Sequence, residues 1–351
     1  MTENRARPAL RETIVPFVAG DGLQCNLIHV QGEKSATKGP VILVHGAGVR
    51  ANIFRAPIPV TIVDDLVAHG YDVWLENWRA SIDLAPNLWT LDKAAVYDHP
   101  AAVATVARET GADKMKAIVH CQGSCSFMMS ALAGLVPQVD TIVSNAVSLH
   151  TIVPAGSKLK LFAALPPIRM MTEYLNPRWG VHAPTIAAKL VTLAGSVTHG
   201  KCRNAVCQQV SYTYGSGDPA LWRHENIDDA THGWIAGEFG AVPIALFSQM
   251  ARCVRRGRLV SVDGFRELPA DFVAQPPQTD ARIALFAGEM NRCFLPESQI
   301  ASYDHLNRLR KNYHSLHVLP GYSHLDMFFG RHAARDVFPL MRAELDRPVA
   351  A

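Results

Sequence analysis

The sequence lacks a surplus of charge. Lys and Arg number 34 against 31 Asp and Glu, a formal net charge of +3. That balance gives no electrostatic reason for a nucleic acid or an anionic membrane surface as partner. No basic run interleaved with aromatics occurs, which also argues against nucleic acid. No apolar stretch approaches the ~18 residues needed to span a bilayer. The start, MTENRARPALRETIVPF, has no apolar h-region and no small-residue cleavage site, so a cytoplasmic location is expected. Low-complexity blocks and internal repeats are absent. The chain has 351 residues, 48% of them hydrophobic, enough for one large α/β domain or two small ones.

Cysteine is sparse and unpatterned. Cys25, Cys121, Cys125, Cys202, Cys207, Cys253 and Cys293 make an odd set, which is not a disulfide framework in a chain of this length. Cys202 and Cys207, in KCRNAVCQ, are near enough to bridge locally, but a reducing compartment favours two thiols. Neither C-x-x-C nor H-E-x-x-H occurs, so no metal site is expected. His314 and His317, in HSLH, fall in a predicted strand and point to opposite faces, the wrong geometry for one ion.

What is present is a rhythm. ETIVPFVAGDGLQCNLIHV reads as a hairpin turning at Gly20-Asp21-Gly22. Short apolar strands follow in GPVILV, YDVWLENW, KMKAIVH and VDTIVSNAVSLH. Between them stand helical patterns, PVTIVDDLVAHG and DHPAAVATVARETGA, and GSCSFMMSALAGL follows KMKAIVH. Strand and helix alternate, and the strands have no polar face. This predicts an α/β class with a mostly parallel central sheet and helices on both faces. The rhythm lapses over 151–250, where prolines scatter, and resumes at ARIALFAGEMN and HSLHVLPGYSH. A single domain is expected, with core 1–150 and 251–351 and an inserted lid at 151–250.

Ligands of open α/β sheets sit beyond the carboxyl ends of strands. Those ends read His45-Gly46-Ala47-Gly48, His120-Cys121-Gln122-Gly123, Gly288-Glu289-Met290-Asn291 and Gly321-Tyr322-Ser323-His324. Nucleophile, acid or amide, and histidine follow in that order. The motifs HGAG, HCQGS and GYSHLDMFFG, with GYDVWLENWRAS, resemble the α/β-hydrolase superfamily, and within it the acid and gastric type of lipase. KCRNAVCQQVSYTYG with THGWIAGEFG resembles the hydrolase-like portion of cholesterol-oxidase-type flavoproteins. The resemblance implies an α/β-hydrolase fold and a carboxylic ester hydrolase, with Cys121 where the family has serine.

Read residue by residue, Cys121 sits on a strand-to-helix turn that exposes its sulfur to the helix N-terminus, which favours a thiolate. Val119 departs from the small residue usual in the family. Ser124, the rival nucleophile, lacks small flanks. His324 is the expected base. Asn291 stands where the family has aspartate, with Glu289 as the fallback, so the triad is Cys-His-Asn or Cys-His-Glu. A thiolate paired with an imidazolium needs only a neutral amide to orient the ring. The oxyanion hole is expected from the backbone of Ala47, Gly48 and Gln122. His45 and His120 read as loop braces, and Asp326 as an anchor of the histidine loop. Phe162, Leu165, Trp179, Trp222 and Trp234 are expected to line the substrate site. The expected partner is a small hydrophobic ester, with no cofactor and no metal; a homodimer is left open.

Three other readings compete. The same Cys-His pair suits an acyltransferase or a lactone hydrolase. GAGVRA followed by Glu76 fits a dinucleotide fingerprint. The departures at 119, 121 and 291 also suit a non-catalytic binding protein.

Overall fold

The computed structural model describes residues 10–217 and 219–348. The hairpin forms as expected. Strands β1 (Arg11–Val18) and β2 (Gln24–Gln31) pair antiparallel, and Gly22 takes φ 90° in the turn, which glycine adopts without steric cost. Next come β3 (Pro40–Val44), helix α1 (Ile62–Ala68) and β4 (Asp72–Asn77). Thr61 and Asp64 close a reciprocal capping box at the start of α1. Helix α2 (His99–Thr110) has Pro100 in its first turn and stops at Gly111, φ 67°. Strand β5 (Met115–His120) runs directly into α3 (Cys121–Leu132), two residues earlier than the glycine suggested. Strand β6 (Val139–Asn145) ends where Ala146 turns to φ 58°.

Residues 151–250 are more regular than the sequence suggests. A short ribbon pairs β7 (Tyr174–Leu175) with β8 (Val242–Pro243). Around it lie α4 (Ile186–Thr198), α5 (Ala205–Tyr214), α6 (Asp229–Glu238) and the start of α7 (Ile244–Arg256). The core resumes with β9 (Arg282–Gly288), α8 (Pro296–Leu309), β10 (Ser315–Leu319) and α9 (Phe338–Asp346). Among the described residues no helix is long and apolar enough to cross a membrane.

The large sheet has the order β1-β2-β4-β3-β5-β6-β9-β10. Only the pairs involving β2 are antiparallel; from β4 to β10 every neighbour is parallel. Every residue of β3 and β9 is buried, so both faces of the sheet are covered there. This is why those strands carry continuous apolar runs. The carboxyl ends of β3, β5 and β9 lie on one edge of the sheet, because parallel strands point the same way.

Candidate active site

Cys121 takes φ 57°, a conformation that costs a side chain of this kind about 1–3 kcal/mol. Two glycines show what holds it there. A Cβ on Gly123 would fall 2.1 Å from the carbonyl oxygen of His45, and one on Gly46 would fall 2.9 Å from Cys121 Cβ. The loop after β3 is therefore pressed against the first turn of α3. Trp78 Nε1 donates to the same His45 carbonyl at 2.9 Å, which fixes the loop from the other side. Val119 is fully buried within β5.

The sulfur of Cys121 and the nearest ring nitrogens of His120 and His324 lie within 4.8 Å of one another, and all three residues are buried. His120 Nδ1 pairs with Asn145 Oδ1 at 2.9 Å, and its ring packs beside that of His324 with centroids 4.6 Å apart. Burial, with His324 next to it, holds His120 well below the usual histidine range. It is a neutral brace, as expected. His45 is also buried, and burial lowers its pKa to about 3. The three donors at the elbow are one short of a closed tetrahedral metal site.

Asn291 meets His324. Its Nδ2 lies 3.1 Å from His324 Nδ1, while its Oδ1 accepts the backbone N–H of Cys293 at 2.9 Å. In this arrangement the ring hydrogen lies on Nε2, on the side of the sulfur. A second proton at Nδ1 requires the amide to turn over. The Cys293 N–H then loses its acceptor, a cost of about 1 kcal/mol. Glu289 does not approach the ring. It is exposed, and its Oε2 accepts Gly321 N–H at 3.2 Å. The fallback carboxylate is thereby ruled out on position, because the turn after β9 directs it to solvent. Asp326 is nearly fully buried, and its carboxylate accepts Ser323 N–H, Arg223 N–H and Asn226 Nδ2. Burial raises its pKa to about 6, against these hydrogen bonds, as it anchors the histidine loop.

Cys293 is a participant that sequence reasoning missed. Its thiol lines the cavity with Cys121, and hydrogen bonding between the two is the largest cause holding Cys121 well below the usual thiol range. Burial opposes the shift, and nearby His324 and the Gln122 N–H add to it. Cys293 is correspondingly pushed well up. The only signal was its place two residues after Asn291.

The serine rival is excluded. Ser124 is fully buried, with Oγ 2.7 Å from Ser144 Oγ. Beside it runs a second buried chain, in which Ser126 Oγ lies 2.7 Å from His99 Nε2 and His99 Nδ1 lies 2.9 Å from Glu76 Oε1. None of the three is exposed, so the chain ties β4, α2 and α3 together beneath the elbow rather than meeting a substrate. It also removes Glu76 from the dinucleotide reading, which needs that carboxylate at a ribose.

A largely apolar cavity of about 810 Å³, counting its mouth, opens over Cys121 and Gln122. Its walls include Leu165, Leu175, Phe247 and Met250. Leu165 lines it as expected. Trp179, Trp222 and Trp234 do not: Trp222 is buried against Phe239 and Phe329, Trp234 packs on Phe329, and Trp179 is half-buried against the hydrophobic core. Phe162 is part-exposed under the Arg255 guanidinium. These rings are taken up by contacts outside the cavity, several of them with residues beyond 151–250. Tyr214 is the polar wall residue that sequence reasoning missed. Its buried hydroxyl has no hydrogen-bond partner among the described residues and stands where a Cβ on Gly48 would be 2.4 Å from it. Gly48 thus stands beside that hydroxyl, and Gln122 lines the cavity next to Cys121.

No family model matches the chain. Human lipase member K is 21% identical over 342 residues, covering 87% of this chain and 79% of the lipase. Sterol esterase 2 of Saccharomyces cerevisiae is 22% identical over 178 residues, covering 45% of this chain and 33% of the esterase. Among solved structures, a soluble variant of monoglyceride lipase from Saccharomyces cerevisiae superposes with TM-score 0.58 at 14% identity, covering 99% of this chain and 97% of that one. A thermophilic esterase from Thermogutta terrifontis gives 0.56 at 14% identity, over 95% and 98%. The chain has the α/β-hydrolase fold.

Removing the Cys293 thiol should raise the pKa of Cys121, because the thiolate loses a donor. The rate of Cys121 alkylation by iodoacetamide, followed by mass against pH, should shift to higher pH in Cys293→Ala. An unchanged profile would mean that Cys293 does not act on Cys121.

Proposed function

We propose that the protein is a carboxylic ester hydrolase that opens a hydrophobic ester through a thioester on Cys121. The observation that carries this reading is the strained, buried Cys121 lining an apolar cavity, with His324 beside its sulfur. Similarity to lipase member K and sterol esterase 2 supports an ester with a hydrophobic acyl or sterol-like part. Residues 151–250 act as the lid, since Lys160, Leu165, Leu175 and Tyr214 from that segment form much of the cavity wall.

In the first step the Cys121 thiolate attacks the ester carbonyl carbon. The oxyanion is held by the N–H groups of Ala47 and Gln122, with the Tyr214 hydroxyl as a further donor. The C–O bond breaks, and the leaving alkoxide takes a proton from the His324 imidazolium. In the second step water gives a proton to His324 and its oxygen attacks the thioester carbon. The carboxylic acid leaves and the thiolate–imidazolium pair returns. The Asn291 amide turns its oxygen to Nδ1 whenever the ring is cationic. Gly48 keeps its place in the oxyanion loop by its backbone, at φ 65°.

A panel of p-nitrophenyl esters from acetyl to palmitoyl tests the activity. Wild type should favour the longer acyl chains, and Cys121→Ala should lose at least about a thousandfold in kcat/KM. Equal turnover by both proteins would reject the reading. Asn291→Asp is the finer test. Its two oxygens accept Cys293 N–H and His324 Nδ1–H together, so the imidazolium is stabilised. The alkaline limb of the rate profile should move up by about one pH unit or more. A strong rise in activity with an unmoved profile would contradict the pairing of Cys121 with Asn291.

A further inference from the structure

Two cysteines and two histidines have no part in the site above, and the fold gathers them into one place. Cys202 lies in the loop after α4, Cys207 in the first turn of α5, His224 in the turn at His224–Asn226, and His232 in α6. One ligand atom from each lies within 4.8 Å of all the others. Cys202 Sγ is 3.5 Å from His232 Nε2, and Cys207 Sγ is 3.6 Å from His224 Nε2. The two imidazoles pack edge-on, with centroids 4.9 Å apart. No disulfide joins Cys202 and Cys207, and both are buried.

We propose that Cys202, Cys207, His224 and His232 form a structural zinc site that fastens the helices around the cavity to the loop bearing His324.

The distances suit the ion. With Zn–S about 2.3 Å and Zn–N about 2.0–2.1 Å, a tetrahedron puts sulfur and nitrogen ligands about 3.6 Å apart. The donor set suits it too. Two thiolates and two imidazoles favour zinc over the oxygen-seeking magnesium and calcium, and the two thiolates balance the charge of a dication. Four protein donors close the coordination sphere, which marks a structural site rather than a catalytic one. The ligands are held from behind. Asn204 caps α5 by accepting the N–H groups of Val206 and Cys207. Its own N–H meets Cys202 Sγ at 3.4 Å, and its Nδ2 donates to the His232 carbonyl at 3.0 Å. One residue, through its backbone and its side chain, thus touches three of the four ligand residues, as outer-shell partners of metal ligands do.

The place of the site gives it a consequence. His224 closes a stretch whose backbone supports the catalytic loop: Leu221 O accepts the N–H groups of His324 and Leu325, and Arg223 N–H meets Asp326. Cys207 opens the helix that ends in Tyr214 at the cavity wall. An ion between them joins the wall to the histidine support. The sequence hid this site because its spacings, C-x4-C and H-x7-H, span a loop, a turn and a helix rather than a compact motif.

The test uses the full chain expressed with zinc in the medium. Elemental analysis should find about one zinc per chain in wild type and nearly none in Cys202→Ser/Cys207→Ser. Because the variant can fail to fold, wild type stripped with dipicolinate provides the second reading. Cobalt(II) should give the thiolate charge-transfer band and the visible bands of tetrahedral S2N2 coordination, and zinc should raise the Tm of the stripped protein. Stripped, folded protein that shows no cobalt–thiolate band and no change in Tm with zinc would overturn the proposal. So would an intact mass lighter by two hydrogens and restored by reductant, since that assigns Cys202 and Cys207 to a disulfide. Neither readout depends on ester hydrolysis, so this proposal and the assigned activity fail independently.

Discussion

The structure depends on one close contact, between the first turn of α3 and the loop after β3. Only a glycine at 123 lets the His45 carbonyl come so near, since any Cβ there would overlap it. That contact closes the space in which the elbow could relax, and Cys121 is kept in its left-handed conformation. The sulfur is thereby lifted off the sheet to the N-terminal end of α3, where partial positive charge favours an anion. The buried Ser126–His99–Glu76 chain locks α3 from below, so the strain has no exit on that side. Local strain of this sort persists only where the surrounding packing over-determines it.

With the sulfur fixed, the donors around it decide its chemistry. Cys293 and the Gln122 N–H point hydrogen at it, and His324 stands beside it. Burial alone would make the thiol inert, as it does for Cys125, whose pKa burial pushes well up. The difference between two cysteines four residues apart is therefore a matter of donors and not of exposure. The cavity above is equally selective. Lys160 is the sole Lys or Arg among its described lining residues, and its Nζ is occupied by the carbonyls of Tyr212 and Gly215. Burial lowers its pKa to about 8, so at neutral pH it stays mostly cationic, with its charge held by those two carbonyls.

Much of this was legible in the residues themselves. Strands covered on both faces must be apolar throughout, so VILV, KAIV and IALFA mark the parallel core, and the polar residues after each strand mark the functional edge. That reasoning reaches Cys121, Asn291 and His324 because the topology fixes where strand ends go. It fails where placement depends on how helices pack. Trp179, Trp222 and Trp234 look like cavity lining by size, but their rings pack on Phe239, Phe329 and the core, and leucines and Phe247 form the wall instead. Glu289 and Asn291 are two residues apart on one turn, and nothing in the sequence tells which of them faces inward. Cys202 and Cys207 read as ordinary thiols because their histidine partners follow at spacings that only the fold of this segment brings together.

The central claim is that Cys121 itself carries the acyl group. Intact-protein mass after brief exposure to p-nitrophenyl octanoate, followed by peptide mapping, tests it directly. The account predicts a single octanoyl addition, mapped to Cys121, released by hydroxylamine at neutral pH as a thioester is, and absent in Cys121→Ala. An adduct on any other residue, or turnover of the ester by Cys121→Ala at the wild-type rate, would contradict it.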